Sequence, residues 1–176
     1  MERILNTNIY KRGNSYLGLY VDDLIHIGPE DETNLHHLQL LQRFPQLTSI
    51  GYPDSVLGIN LHQQDNIGIS ASRVIKELLD ENKMSACNAS LEPAEPGARL
   101  PTLQKAREMP MSMEITKARE ICGKLNYITT TTRPDLAFAT RQIASLTSHP
   151  TQQVQQAIIR VMRYLKGTVD LRIEFD

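Results

Sequence analysis

The chain has 176 residues, 40% hydrophobic and 22% charged, with a net charge of −1. That length can bury a real core in one domain or two small ones, and the composition is globular rather than disordered or fibrous. No apolar run approaches the roughly 18 residues of a membrane span, and the N-terminal MERILNTN lacks the apolar stretch of a secretory signal. Charge is uneven: residues 1–114 hold 10 basic and 15 acidic side chains, residues 115–167 hold 8 and 2. Such asymmetry suggests a polyanion surface beside a carboxylate site, but charge counts alone favour a set of solvated helix faces. Cys87 and Cys122 have no zinc-type spacing and read as free thiols.

In chain order, residues 8–12 and 16–21 read as strands joined by the turn pair Gly13-Asn14, and residues 24–27 as a third strand ended by Gly28-Pro29. Residues 31–44 read as a helix, opened by Pro29 and a run of acids that opposes its dipole. Leu35, Leu38 and Leu41 would form its apolar face, leaving His36 and His37 on the surface. Residues 55–61 and 67–70 suggest a hairpin around Gln64-Asp65-Asn66, followed by a helix over 73–84 capped by Ser72, with Ile75, Leu78 and Leu79 inward. Residues 86–114 hold Pro93, Pro96, Pro101 and Pro110 without sustained period and read as a linker. Three helices follow over 115–130, 134–146 and 151–166. Their stripes are Ala118/Ile121/Leu125/Ile128, Leu136/Ala139/Ile143/Leu146 and Val154/Ile158/Val161/Leu165, and Gly167 would cap the last. The fold class is α+β: a small antiparallel sheet with packed helices, then a helical module.

Asp22 and Asp23 stand side by side between two apolar runs, at or beside the turn of a hairpin. Aspartate is common in turns because it bonds its own backbone. Yet Asp-Asp is a poorer hairpin turn than Asn-Gly or Asp-Gly, and the two charges repel unless a cation lies between them. Carboxylates that hold Mg²⁺ against substrate phosphates are the usual arrangement for phosphoryl transfer.

Tyr20-Val21-Asp22-Asp23 resembles the YVDD box of reverse transcriptases, and the longer pattern resembles the copia-type retrotransposon enzyme. Val56-Leu57-Gly58-Ile59-Asn60-Leu61 is similar to its FLGIEI strand. Gly123-Lys124-Leu125-Asn126-Tyr127-Ile128 with Thr132-Arg133-Pro134-Asp135-Leu136-Ala137-Phe138-Ala139 resembles its IGxLxYLxxxTRPDLAFA segment. Arg160-Val161-Met162-Arg163-Tyr164-Leu165-Lys166-Gly167-Thr168 resembles its KRVLRYLKGT segment.

The resemblance implies residues 1–85 as a partial palm and the start of a thumb, residues 86–114 as the linker, and residues 115–176 as a helical thumb and connection leading toward ribonuclease H. It makes Asp22 the principal Mg²⁺ (or Mn²⁺) ligand and Asp23 a weaker ligand or a shaper of the field. Tyr20 and Val21 would lie near the primer terminus, and Leu57, Gly58 and Ile59 would be the primer-grip hairpin, where glycine lets backbone approach backbone. Arg133 could contact nucleic acid, pair with Asp135 or cap a helix. Arg160, Arg163 and Lys166 could contact phosphates or form a solvated basic face. The implied partner is an RNA template–DNA primer duplex, in the cytoplasm within a virus-like particle or in the nucleus, with no membrane. A two-ion site needs a third carboxylate from an earlier palm strand, and Glu2 is the sole acid among residues 1–21. The expectation is therefore a polymerase fragment that is inactive without the upstream palm and fingers. A non-catalytic transposon remnant that binds nucleic acid or a partner chain is the alternative.

Overall fold

The computed structural model describes residues 2–5, 7–63 and 66–175, so Gln64 and Asp65 of the expected turn lie outside the described residues. The chain forms two compact units, Met1–Gly51 and Tyr52–Asp176. It is α+β as expected, but the strands form two four-stranded antiparallel sheets, one in each unit. Among the described residues no helix is long and apolar enough to cross a membrane.

In the first unit, β1 (Glu2–Arg3), β2 (Ile9–Arg12), β3 (Ser15–Tyr20) and β4 (Asp23–Ile27) follow one another across the sheet, and α1 (Glu30–Arg43) packs on one face. Leu17 opposes His26 in the β3–β4 register. Side chains alternate along a strand, so Ser15, Leu17 and His26 share the face toward α1. The expected apolar face of this helix is a correction: Leu35 and Leu38 are 53% and 59% exposed, while His36 is buried. The sheet offers polar partners at that point, and the helix answers with polar side chains. His36 Nδ1 lies 3.1 Å from Ser15 Oγ. Glu32 accepts the backbone N–H of Asn14 at 3.1 Å. Gly13, at φ +60°, leaves room for that carboxylate, since a Cβ there would lie 2.7 Å from Glu32 Oε2.

In the second unit, β5 (Ser55–Val56), β6 (Ile59–Gln63), β7 (Ile67–Ser70) and β8 (Ile173–Phe175) form the sheet. Residues 55–61 are thus two strands broken at Leu57-Gly58. The helices are α2 (Ser72–Glu81), α3 (Leu103–Ala106), α4 (Ile115–Thr131), α5 (Ala137–Ala144), entered through a 3-10 turn at Pro134–Leu136, and α6 (Gln152–Gly167). Every stripe residue expected in the three C-terminal helices is buried, and all but Ala118 join Ile75, Leu78 and Leu79 of α2 in one apolar cluster. The cap of α2 comes from the sheet: Asn60 Oδ1 accepts from Arg73 N at 3.1 Å and from Ser72 Oγ at 3.2 Å. Gly167 ends α6 without the left-handed cap expected of it; a Cβ there would meet Ala89 Cβ at 2.9 Å. Residues 86–114 are not a free spacer. Ser90 N donates to Arg163 O, Leu100 N to Gln142 Oε1 and Ser112 N to Pro150 O, which ties the proline-rich strap onto the helices.

Candidate metal and nucleic-acid site

The β3–β4 hairpin displays the two carboxylates. Tyr20 pairs with Asp23, so the turn is Val21-Asp22, one residue earlier than a turn centred on the two aspartates. Val21 has φ +53°. Glycine normally takes positive φ in such turns, and a β-branched residue there is strained, at a cost of about 1–3 kcal/mol. Asp22 and Asp23 are both exposed. Tyr20 and Asp23, opposite each other, share the sheet face away from α1, with Tyr16 and Ile25. Two carboxylates are a hard-oxygen donor set that suits Mg²⁺ bound jointly by substrate phosphates. Among the described residues no third His, Cys, Asp or Glu joins them.

Behind the hairpin lies a histidine pair, His26 and His36, of which the sequence reading places His36 on the surface. His36 Nδ1 is 3.3 Å from His26 Nε2, and the rings stack with centroids 5.3 Å apart. Burial, reinforced by the nearby His36 and His37, holds His26 below its ordinary pKa.

The remaining predicted residues lie in the second unit. Leu57 and Gly58 are the two central residues of the β5–β6 turn, and Ile59 opens β6. What approaches Gly58 is a side chain, the Tyr127 phenol, rather than backbone. Arg133 is 2% exposed. Its Nε and Nη2 donate to Asp135 at 3.0 and 2.7 Å, and Nη1 and Nη2 donate to the Thr168 carbonyl and hydroxyl at 2.9 and 2.8 Å. The guanidinium is thus spent on tying the 3-10 turn to the end of α6. Tyr164 closes the node: its ring faces Arg133 and its hydroxyl donates to Asp135 at 2.8 Å. Burial alone would raise the Asp135 pKa, but the hydrogen bonds from Arg133 and Tyr164 outweigh it and hold the carboxyl below its usual range. Arg160 and Arg163 line an open cleft of about 670 Å³ between α6 and residues 89–92. Arg163 Nε donates to Asn88 O at 2.7 Å, Arg160 Nη2 stands 3.9 Å from Glu92, and Arg160 Nε is buried without a protein partner. Lys166 is exposed on the last turn of the same helix.

Fold and hairpin together define an α+β chain that presents paired carboxylates at a strained turn. Over nine-tenths of its length this chain is homologous to a stretch of retrotransposon Pol polyproteins, the group its motifs resemble. It is 30% identical over 166 residues to the retrovirus-related Pol polyprotein from transposon RE1 of Arabidopsis thaliana, and 31% identical over 168 residues to that from transposon RE2. These alignments cover 91% and 92% of the chain and 11% of each relative, so the chain spans about a tenth of their length. A putative transposon Ty5-1 protein of Saccharomyces cerevisiae is 25% identical over 165 residues, covering 93% of the chain and 52% of that protein. No family model matches the chain, and no solved structure does.

Proposed function

We propose that the chain is the part of a retrotransposon reverse transcriptase, an RNA-directed DNA polymerase, that carries the paired metal-binding carboxylates. The supporting observation is the Tyr20-Val21-Asp22-Asp23 hairpin: two exposed carboxylates at a turn that Val21 enters at positive φ, in a chain homologous to transposon Pol polyproteins. Strain of that kind persists where the surrounding structure over-determines it, and it clusters at functional sites. Mg²⁺ or Mn²⁺, when bound, polarises phosphate oxygens and activates the attacking hydroxyl. Asp22, on the turn itself, is the principal ligand, and Asp23 the second. Tyr20 lies on the face of Asp23 and offers an aromatic surface near the primer end. Arg160, Arg163 and Lys166 face the phosphates of the RNA template–DNA primer duplex, whereas Arg133 serves the internal node with Asp135. A two-ion site takes a further carboxylate, which on this reading comes from the upstream palm, the partner that completes the enzyme.

Primer extension on a homopolymer RNA template with Mg²⁺ or Mn²⁺ tests this. The chain alone is expected to add no nucleotides. Joined to the stretch of the RE1 polyprotein that precedes the matched region, it is expected to extend, and Asp22→Asn in that fusion to lose roughly a hundredfold or more of the rate. A fusion that works equally well with asparagine at position 22 contradicts the assignment. A fusion that never extends favours a non-catalytic remnant.

A further inference from the structure

The second hairpin singled out by its motif, β5–β6, has a feature that its strand pairing leaves unexplained. Val56 pairs with Ile59, so its turn has two central residues, Leu57 at φ +52° and Gly58 at φ +83°. Turns with both positions left-handed favour Asn-Gly, because a leucine there brings Cβ against its own carbonyl. Burial of its side chain does not hold Leu57 in place, since the residue is 46% exposed. The hold comes from seventy residues away. The Tyr127 hydroxyl, on α4, donates to the Leu57 carbonyl at 2.6 Å. A Cβ at position 58 would lie 3.1 Å from that same hydroxyl, so Gly58 also makes room for the phenol. Burial pushes the Tyr127 pKa up, which keeps the proton it donates.

We propose that Tyr127 is a positioning residue: its hydroxyl holds the Leu57-Gly58 turn in the left-handed conformation in which that turn meets the primer strand. The primer part rests on the reverse-transcriptase reading above; the turn-holding part does not.

The test uses Tyr127→Phe, which removes the hydroxyl and keeps the ring, and the same change combined with Leu57→Asn, because asparagine adopts the left-handed conformation at little cost. Two readouts are followed: amide hydrogen exchange at Val56 and Ile59, and affinity for a labelled DNA primer–RNA template duplex. Tyr127→Phe is expected to speed exchange about fivefold and to weaken duplex binding about fivefold, the effect of one neutral hydrogen bond. Exchange at Leu125 and Ile75 should stay unchanged, and the double variant should recover both readouts. Exchange at Val56 and Ile59 that does not respond to Tyr127→Phe overturns the positioning role. Faster exchange with unaltered duplex affinity overturns its link to the primer. A parent chain that binds no duplex, while exchange responds as expected, overturns the primer part and leaves the turn-holding role standing; the reverse-transcriptase reading itself stands or falls with the fusion.

Discussion

Residues 52–175 enclose Ile75, Leu125, Ile143 and Leu165 in an apolar cluster drawn from four helices. Residues 2–51, which hold the candidate carboxylates, bury Leu17 beside two polar side chains, Ser15 and His36. The larger unit is held by area removed from water, which is non-directional and tolerant of small shifts. The smaller one depends on directional contacts such as His36 to Ser15 and Glu32 to Asn14, which cost more when left unmade than they contribute when formed. The lesson is that the hairpin with the acidic pair rests on a support that answers to protonation of a histidine, whereas the helical unit's perturbed carboxyl, Asp135, is held below its usual range and takes up a proton only in more acid solution.

The contrast can be broken most forcefully in the cores. Leu125→Ala is expected to destabilise the second unit by about 3–4 kcal/mol through lost burial and a residual cavity, while Leu17→Ala costs the first unit about 2, because Leu17 packs beside the polar Ser15 and His36 and has less apolar contact to lose. Denaturant unfolding followed by hydrogen exchange within each unit reads both values. Equal costs would remove the distinction.

The second expected effect is one of pH. His26 has a folded-state pKa below its ordinary 6.5. The unfolded chain therefore binds a proton at His26 before the folded chain does, and stability falls with it. Stability of the first unit is full above about pH 6.5 and declines as pH falls from there toward the lower folded-state pKa. Amide exchange in β3 and β4 should speed across that window, with α4 and α6 unaffected, and His26→Leu should flatten the response. Acid sensitivity shared equally by both units would count against the histidine pair as its source.

The smallest effect should come from Val21→Gly. Glycine takes φ +53° without the steric cost of valine, at some loss of unfolded-state restriction. The first unit should gain about 1 kcal/mol, visible as slower exchange at Tyr20 and Asp23. A loss of stability would mean that Val21 is not strained.

The helices of residues 115–167 were legible because each buries an apolar stripe at the 3.6-residue period, and a bundle rewards that pattern alone. The same rule failed for α1. Leu35 and Leu38 face outward because the sheet beneath offers Ser15 and His26, which period analysis weighs as surface residues. The strands of the acidic hairpin were readable from their apolar runs, but not the placing of its turn, since Val21 adopts a conformation its side chain disfavours. The break at Leu57-Gly58 was hidden for a similar reason, because the contact that sustains it lies on another helix. Three-residue β8 has no local signal, and its partner β7 is a hundred residues upstream. Arg133 was left between nucleic acid, an ion pair with Asp135 and a helix cap; its burial, which follows from packing at the end of α6, could not be read from the Arg-Pro-Asp spacing.

Paramagnetic broadening by Mn²⁺, followed amide by amide in the presence of a primer–template duplex, tests the metal assignment most directly. Broadening centred on Tyr20 to Leu24, and lost in Asp22→Asn, is the result expected of a carboxylate pair that holds a divalent ion. Broadening centred on Glu30, Asp31 and Glu32 at the start of α1, or unchanged by Asp22→Asn, would contradict it.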